Sequence, residues 1–178
     1  MIPQPTTGAT AGAAHAHDPI VVMGVSGIGK STIARLIGEQ LGMPYLDADD
    51  LHGEANIAKM SAGIPLTDED RLPWLHRVGE ALSAGAAPVM ACSALKRAYR
   101  EVLLTHAPRA SFVMLSADAE RITAQVTART GHFMPPALLQ SQLGALEPLQ
   151  SDEPGLIVLV DDDPVPIASR IVSWVTSR

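Results

Sequence analysis

The sequence has few of the residues that characterise secreted, membrane-spanning or nucleic-acid-binding proteins. Cys92 is its single cysteine, so no intrachain disulfide can form, and we expect a reducing, cytoplasmic compartment. No apolar run approaches the roughly 18 residues that a membrane span needs. The net charge is −6, and there are only two each of Trp, Tyr and Phe. A chain of this kind is a poor general binder of nucleic acid, so we expect no nucleic-acid or membrane partner.

The length of 178 residues is typical of one domain. Residues 1–18 contain no Lys or Arg and show no apolar periodicity, which excludes a secretory signal and predicts a disordered N-terminal tail. We therefore place the folded domain at 19–178.

Short apolar runs alternate with helical patterns along the rest of the chain. The strands are continuously apolar, as expected of parallel strands that are buried on both faces. This alternation predicts a three-layer α/β/α sandwich around a five-stranded parallel sheet. The predicted strands lie at 20–23, 44–47, 89–92, 112–115 and 156–160, and the predicted helices at 31–41, 68–84, 96–106, 118–129, 135–146 and 166–176.

Residues 24–31 read GVSGIGKS and match the phosphate-binding pattern G-x-x-x-x-G-K-[ST] between an apolar strand and an amphipathic helix. Such a loop directs backbone N–H groups at phosphate oxygens at the positive end of a helix. Lys30 would neutralise the β- and γ-phosphates of ATP, and the Ser31 hydroxyl would ligate Mg²⁺. The predicted ATP-binding residues are Gly24, Val25, Ser26, Gly27, Ile28, Gly29, Lys30, Ser31 and Thr32.

Two carboxylates, Asp47 and Asp49, follow the second predicted strand, at the edge of the sheet where ligands of open α/β folds bind. On an extended segment they would point in alternate directions. Asp47 would then hold Mg²⁺, while Asp49 would accept or orient the proton of an acceptor hydroxyl. The third strand ends in Cys92 without a carboxylate, which also assigns the metal to Asp47. A solvated acidic loop is the alternative.

His52, Asn56 and Lys59 follow at helical spacings and would share one helix face that suits a polar, anionic small molecule. Arg71 offers a planar fork for a carboxylate. An exposed helix face without a ligand is the alternative.

Lys96, Arg97 and Arg100 open a predicted helix, where positive charge is unfavourable to the helix dipole. A bound anion would relieve this conflict, and solvated surface charge is the alternative. Arg129 lies between two predicted helices and could reach across the phosphates as a lid cation.

Several segments together resemble the gluconate kinases, the small P-loop kinases related to shikimate kinases. They are GVSGIGKST, LDADDLH, NIAKMSAGIPLTDEDRLPWL, CSALKRAYR, ARTGHFMP and LEPLQSDE, in this order. The resemblance implies a P-loop kinase fold with a small helical lid at about 125–140. It also implies ATP- and Mg²⁺-dependent phosphorylation of D-gluconate to 6-phospho-D-gluconate, in a homodimer.

Under this interpretation Lys30, Mg²⁺ and Arg129 spread the charge of the transferring phosphoryl group, and Asp49 orients the 6-hydroxyl. The candidate substrate-binding residues are Asp49, His52, Lys59, Arg71, Lys96 and Arg97.

Three alternatives remain open at this point. Another small-molecule P-loop kinase, such as a nucleoside monophosphate kinase, would need a larger lid with several arginines. A shikimate kinase shares the cradle, but its relatives carry three glycines after the third strand, where this chain has Cys-Ser-Ala-Leu-Lys. An inactive nucleotide-binding module would not need Asp49 beside Lys30 and Ser31.

Overall fold

The computed structural model describes residues 17–84, 88–118, 136–161 and 163–178. In these residues five parallel strands form one sheet. They are β1 (Ile20–Met23), β2 (Tyr45–Asp47), β3 (Val89–Ala91), β4 (Ser111–Ser116) and β5 (Gly155–Leu159). The spatial order is β2-β3-β1-β4-β5.

The helical segments of the described residues are α1 (Lys30–Leu41), a 3-10 turn (Ala48–Leu51), α2 (Glu54–Ser61), α3 (Asp68–Ser83), α4 (Arg97–His106), α5 (Pro136–Ala145) and α6 (Pro164–Thr176). The 3-10 turn and α2 are not among the predicted helices, whereas the other five lie close to their predicted positions. The helix predicted at 118–129 lies outside the described residues. None of the described helices is both long and apolar enough to cross a membrane.

Two apolar clusters cover the two faces of the sheet and confirm the three-layer arrangement. Successive residues of β1 alternate between them, because neighbouring side chains of a strand point to opposite faces. The first cluster packs β1 against α1 and α6, through residues such as Ile33 and Ile167. The second packs it against α3 and α4, through residues such as Trp74 and Leu103.

The expectation that every strand is buried on both faces is wrong for the two outer strands. In β5, Ile157 and Leu159 are 49% and 52% exposed, and Leu46 of β2 is 39% exposed. Both strands have a neighbour on one side only. A continuous apolar run thus identified the strands, but their position in the sheet decided their burial.

The register of the sheet brings the second strand to the phosphate loop. Asp47 is paired with Ala91, and Ala91 is paired with Val22, two residues before Gly24. The carboxyl ends of β1, β3 and β2 therefore lie at the same level. The sequence motifs that follow these strands meet at one edge of the sheet.

Candidate active site

The loop between β1 and α1 has the conformation of an anion cradle. Gly24, Gly27 and Gly29 have φ values of 138°, 84° and 104°, a region that side chains disfavour. A Cβ atom on Gly24 would also lie 3.0 Å from the Leu115 carbonyl oxygen. The loop ends at the first turn of α1, where backbone N–H groups favour negative charge.

Lys30 begins α1, and its ammonium donates a hydrogen bond to the Val25 carbonyl at 3.0 Å. The side chain therefore folds back along the loop that precedes it. A cation held over a loop of this kind is placed to neutralise the phosphates of a nucleotide.

Ser31 and Asp47 lie together, as the sequence predicts for a shared metal site. The Ser31 hydroxyl donates to Asp47 Oδ2 at 2.9 Å, and the Tyr45 hydroxyl donates to the same oxygen at 2.8 Å. Hydroxyl and carboxylate oxygens are the donors that Mg²⁺ prefers. The two side chains fit a magnesium ion beside the phosphate cradle.

Asp49 does not continue the extended strand, which corrects the predicted alternation of the two carboxylates. β2 ends at Asp47, and the Asp47 carboxylate accepts a hydrogen bond from the Asp49 N–H at 3.1 Å, so it caps the 3-10 turn. The Asp49 side chain is 81% exposed, and its Oδ1 lies 4.0 Å from His52 Nε2. The turn thus presents Asp49 at the surface beside the Ser31–Asp47 pair.

His52 precedes α2, which begins at Glu54, so the predicted placement of His52 on a helix face is wrong. Its ring stacks on Trp74 with centroids 4.3 Å apart, and Asn56 Nδ2 lies 3.3 Å from its Nδ1. Burial, followed by the charges of Arg77 and Arg71, lowers the pKa of His52 to about 4. At neutral pH His52 is an uncharged hydrogen-bonding group.

Lys59 joins α2 to the start of α3. Its ammonium lies 2.7 Å from both carboxylate oxygens of Asp70. Asp70 also closes a capping box with Thr67 at the first turn of α3. The Lys59 side chain remains 41% exposed, so the pair is open to solvent.

A second group of charges lies at the same end of α3, and we call Asp68, Arg71, Lys96 and Tyr99 the Tyr99 cluster. The Tyr99 hydroxyl donates to Asp68, and the Lys96 ammonium lies 2.8 Å from Asp68 Oδ2. The Arg71 guanidinium and the Lys96 ammonium lie 5.7 and 5.5 Å from the centre of the Tyr99 ring. Burial, with the Asp68 hydrogen bond, raises the pKa of Tyr99, so its hydroxyl stays protonated.

Arg97 and Arg100 show that the anion expected at the start of α4 is supplied by the protein itself. The Arg97 N–H donates to Glu147 Oε2 at 2.7 Å, and its guanidinium pairs with Asp152 and Glu101. The Arg100 side chain is fully buried and pairs with Glu153. The conflict with the helix dipole is therefore relieved by Glu147, Asp152 and Glu153 from later in the chain and by Glu101 of α4 itself, so a bound anion is not required for this purpose.

The structure brings Lys30, Ser31, Asp47 and Asp49 to one edge of the sheet. It places Lys59, Arg71 and Lys96 around the first turns of α3. Arg129 lies outside the described residues. Sequence reasoning missed Tyr99, because this residue of α4 contacts Asp68 and Arg71 of a different helix, α3. It also missed Asp70, which the pattern Thr-x-x-Asp before an apolar run could have indicated.

A glycine-rich cradle after the central strand, with an oxygen-rich pair beside it, defines a P-loop nucleotide-binding protein of the kinase type. A family model described as an AAA domain matches residues 20–149. The thermosensitive gluconokinase of Escherichia coli K12 is 44% identical over 146 residues, which are 80% of this chain and 78% of that protein. The crystal structure of a gluconokinase from Sinorhizobium meliloti 1021 superimposes with a TM-score of 0.85 and 42% identity, over 91% of this chain and 93% of that one. The chain belongs to the gluconokinase family.

Likeness to shikimate kinases extends to the fold alone. The shikimate kinase from Acinetobacter baumannii, solved with shikimate, has a TM-score of 0.57 at 18% identity, over 90% of this chain and 94% of that one. The shared architecture explains why the sequence of the cradle by itself left this alternative open.

Proposed function

We propose that the protein is a gluconokinase, which transfers the γ-phosphoryl group of ATP to the 6-hydroxyl of D-gluconate and yields 6-phospho-D-gluconate and ADP. The observation that carries the proposal is the 44% identity to a gluconokinase over 80% of the chain. The phosphate cradle and the Ser31–Asp47 pair stand intact in the same chain.

Residues 24–32 bind the phosphates through backbone N–H groups, and Lys30 neutralises the charge of the β- and γ-phosphates. Ser31 and Asp47 would hold Mg²⁺, which would supply charge neutralisation of the phosphate oxygens. Arg129, which lies outside the described residues, is the proposed further cation for the transferring group. Catalysis on this scheme is mainly positioning and electrostatic stabilisation.

Asp49 acts on the acceptor. The bond that forms joins the 6-oxygen of gluconate to the γ-phosphorus, and the bond that breaks joins that phosphorus to the β–γ bridging oxygen. The proton of the 6-hydroxyl passes to the Asp49 carboxylate. The exposure of Asp49 beside the Ser31–Asp47 pair supports this role.

The acceptor site lies between the 47–71 segment and the start of α4. Lys59, Arg71 and Lys96 supply the positive charge that the carboxylate of gluconate requires. His52, which is neutral at pH 7, contributes a hydrogen bond to a hydroxyl group. Arg97 is the sixth candidate, although its guanidinium already pairs with Asp152 and Glu101.

A coupled assay of ADP release tests the reaction. The purified protein receives ATP and Mg²⁺ with gluconate, with shikimate or with a panel of nucleoside monophosphates. We expect turnover with gluconate only. Turnover with shikimate and none with gluconate would overturn the proposal.

The substitution Asp49→Asn tests the assigned proton acceptor. It keeps the shape of the side chain and removes the base, so we expect kcat to fall by about a hundredfold or more while the KM for gluconate is retained. Asp50→Asn is the matched control, because Asp50 is an exposed neighbour on the same turn. A rise in KM with unchanged kcat would make Asp49 a binding residue only.

We also propose the domain boundaries, the position of the lid, the compartment and the oligomeric state. Residues 1–18 form a tail outside the kinase domain at 19–178, the lid lies at about 125–140, and the protein is a cytoplasmic homodimer. Sedimentation equilibrium tests the dimer directly, since a single species with the mass of one chain would contradict it.

A further inference from the structure

Gln142 of α5 contacts the phosphate cradle from a distant part of the chain. Its Oε1 atom accepts a hydrogen bond from the Ser26 N–H at 2.6 Å, across 116 residues of sequence. Ser26 is the third residue of the cradle motif. One backbone donor of the loop is therefore held by a side chain of the protein.

The position of Gln142 is fixed by the packing of its helix. Leu139, one turn earlier on the same face, is 4% exposed and belongs to the cluster that also contains Val25 and Ile28 of the cradle. Just after α5, the Glu147 N–H donates to the Leu95 carbonyl at 2.8 Å. The helix is thus attached to the core on both sides of Gln142.

The contact orders the first half of the loop. The Gly24 N–H donates to the Ser93 carbonyl at 3.3 Å, so both Gly24 and Ser26 direct their donors at protein acceptors. An acceptor at this place must also tolerate phosphate nearby. The neutral amide of Gln142 meets this condition, whereas a carboxylate would repel the nucleotide.

We propose that Gln142 is a positioning residue of the nucleotide site: its amide oxygen fixes the Ser26 N–H and thereby aligns the remaining N–H groups of the cradle on the phosphates. This proposal rests on the proposed function only in requiring that the cradle binds a nucleotide. It makes no use of the identity of the acceptor.

The test compares Q142L with Q140L, since Gln140 is an exposed residue of the same helix and a matched control. Dissociation constants for ADP and for adenosine are measured by calorimetry. We expect Q142L to weaken ADP binding by about threefold to tenfold, the range for one lost hydrogen bond, and to leave adenosine binding unchanged. Q140L should bind both compounds as the parent protein does.

A second pair, Q142E and Q140E, keeps the test decisive if Q142L fails to fold. Glutamate retains an acceptor oxygen for Ser26 but places negative charge beside the phosphates. We expect Q142E to weaken ADP binding at pH 8 more than Q140E does and to leave adenosine binding unchanged, and equal ADP affinity of the two variants would contradict the proposal.

Equal ADP affinity in Q142L and Q140L, or an equal loss of ADP and adenosine binding in Q142L, would overturn the proposal. Since ADP and adenosine binding need no acceptor, failure of the gluconate assay leaves this test intact. The two proposals therefore fail separately.

Discussion

The nucleotide half and the acceptor half of the site are built in different ways. In the nucleotide half, the cradle and Lys30 come from one short segment, Asp47 is added from a second strand, and the Gln142 amide contacts the loop from α5. In the acceptor half, each predicted lysine is paired with a carboxylate of α3: Lys59 with Asp70 and Lys96 with Asp68. A contiguous motif thus supplies most of its own geometry through its glycine torsions, whereas dispersed cations acquire their partners through folding.

This difference also bears on how each half binds an anion. The cradle offers backbone donors whose directions are set by glycine torsions. The lysines of the acceptor half must share their charge with carboxylates that are already in contact. If gluconate binds there, as proposed, we expect its affinity to depend on hydroxyl recognition and on rearrangement of ion pairs, as well as on net charge.

We expect the largest effect from Lys30→Ala, which removes the cation of the nucleotide half. Loss of this cation removes charge stabilisation from the transferring group, and we expect kcat/KM to fall by about a thousandfold or more. The circular dichroism spectrum and the melting temperature should stay close to those of the parent protein. A variant that is folded and retains parental turnover would refute the assigned role of Lys30.

Arg100→Met tests the buried ion pair between Arg100 and Glu153. Arg100 and Glu153 are 0% and 5% exposed, so the substitution leaves a buried carboxylate without its partner. We expect a loss of about 3–5 kcal/mol in the free energy of unfolding, measured by urea denaturation. Arg97→Met is the matched control: its ion pairs are exposed, and the urea midpoint should move far less.

The acceptor cations should give a smaller, selective effect. Lys59→Met removes a charge near the proposed gluconate site, and we expect the KM for gluconate to rise by about tenfold with no change in the KM for ATP. The same assay on Arg97→Met should show a smaller rise, because two carboxylates, Asp152 and Glu101, hold that guanidinium, whereas Lys59 pairs with Asp70 alone among the acidic side chains described. Equal changes in both KM values for Lys59→Met would contradict a role confined to the acceptor half.

The last prediction concerns the pH dependence of the stability of the fold. Because the pKa of His52 falls from 6.5 to about 4 on folding, the unfolded chain binds the proton first. The contribution of His52 to stability is therefore complete above about pH 6.5 and is lost progressively as the pH falls towards 4. Melting temperatures between pH 7.5 and 5 should decline less steeply for His52→Gln than for the parent protein. Parallel curves would show that His52 does not titrate in this way.

Much of the fold could be predicted from the sequence, because strands and helices of this chain carry strong local patterns. The strand at 20–23 and the helix end at Leu41 agree with their predictions. The burial of β5 could not be predicted, since an apolar run is the same in a central strand and in an outer one. The turn that displaces Asp49 from the strand also escaped prediction, because it depends on the Asp47 carboxylate capping it.

In the candidate site, too, the residues of a local motif could be predicted and the partners distant in sequence could not. Lys30 and Ser31 could be placed from the motif, and Asp47 could be added because parallel strands share a carboxyl edge. The distant partners of Arg97 and Arg100 could not be predicted, since Asp152 and Glu153 lie more than fifty residues away in sequence.

The sequence by itself determined the order of strands and helices, the phosphate cradle and the acidic residues that follow β2, because each depends on neighbouring residues. The tertiary structure decided which cations are paired, that His52 is neutral, and that Gln142 holds the Ser26 N–H. These features depend on groups that meet only when the chain is packed, and charge, burial and hydrogen bonding take their values from that packing.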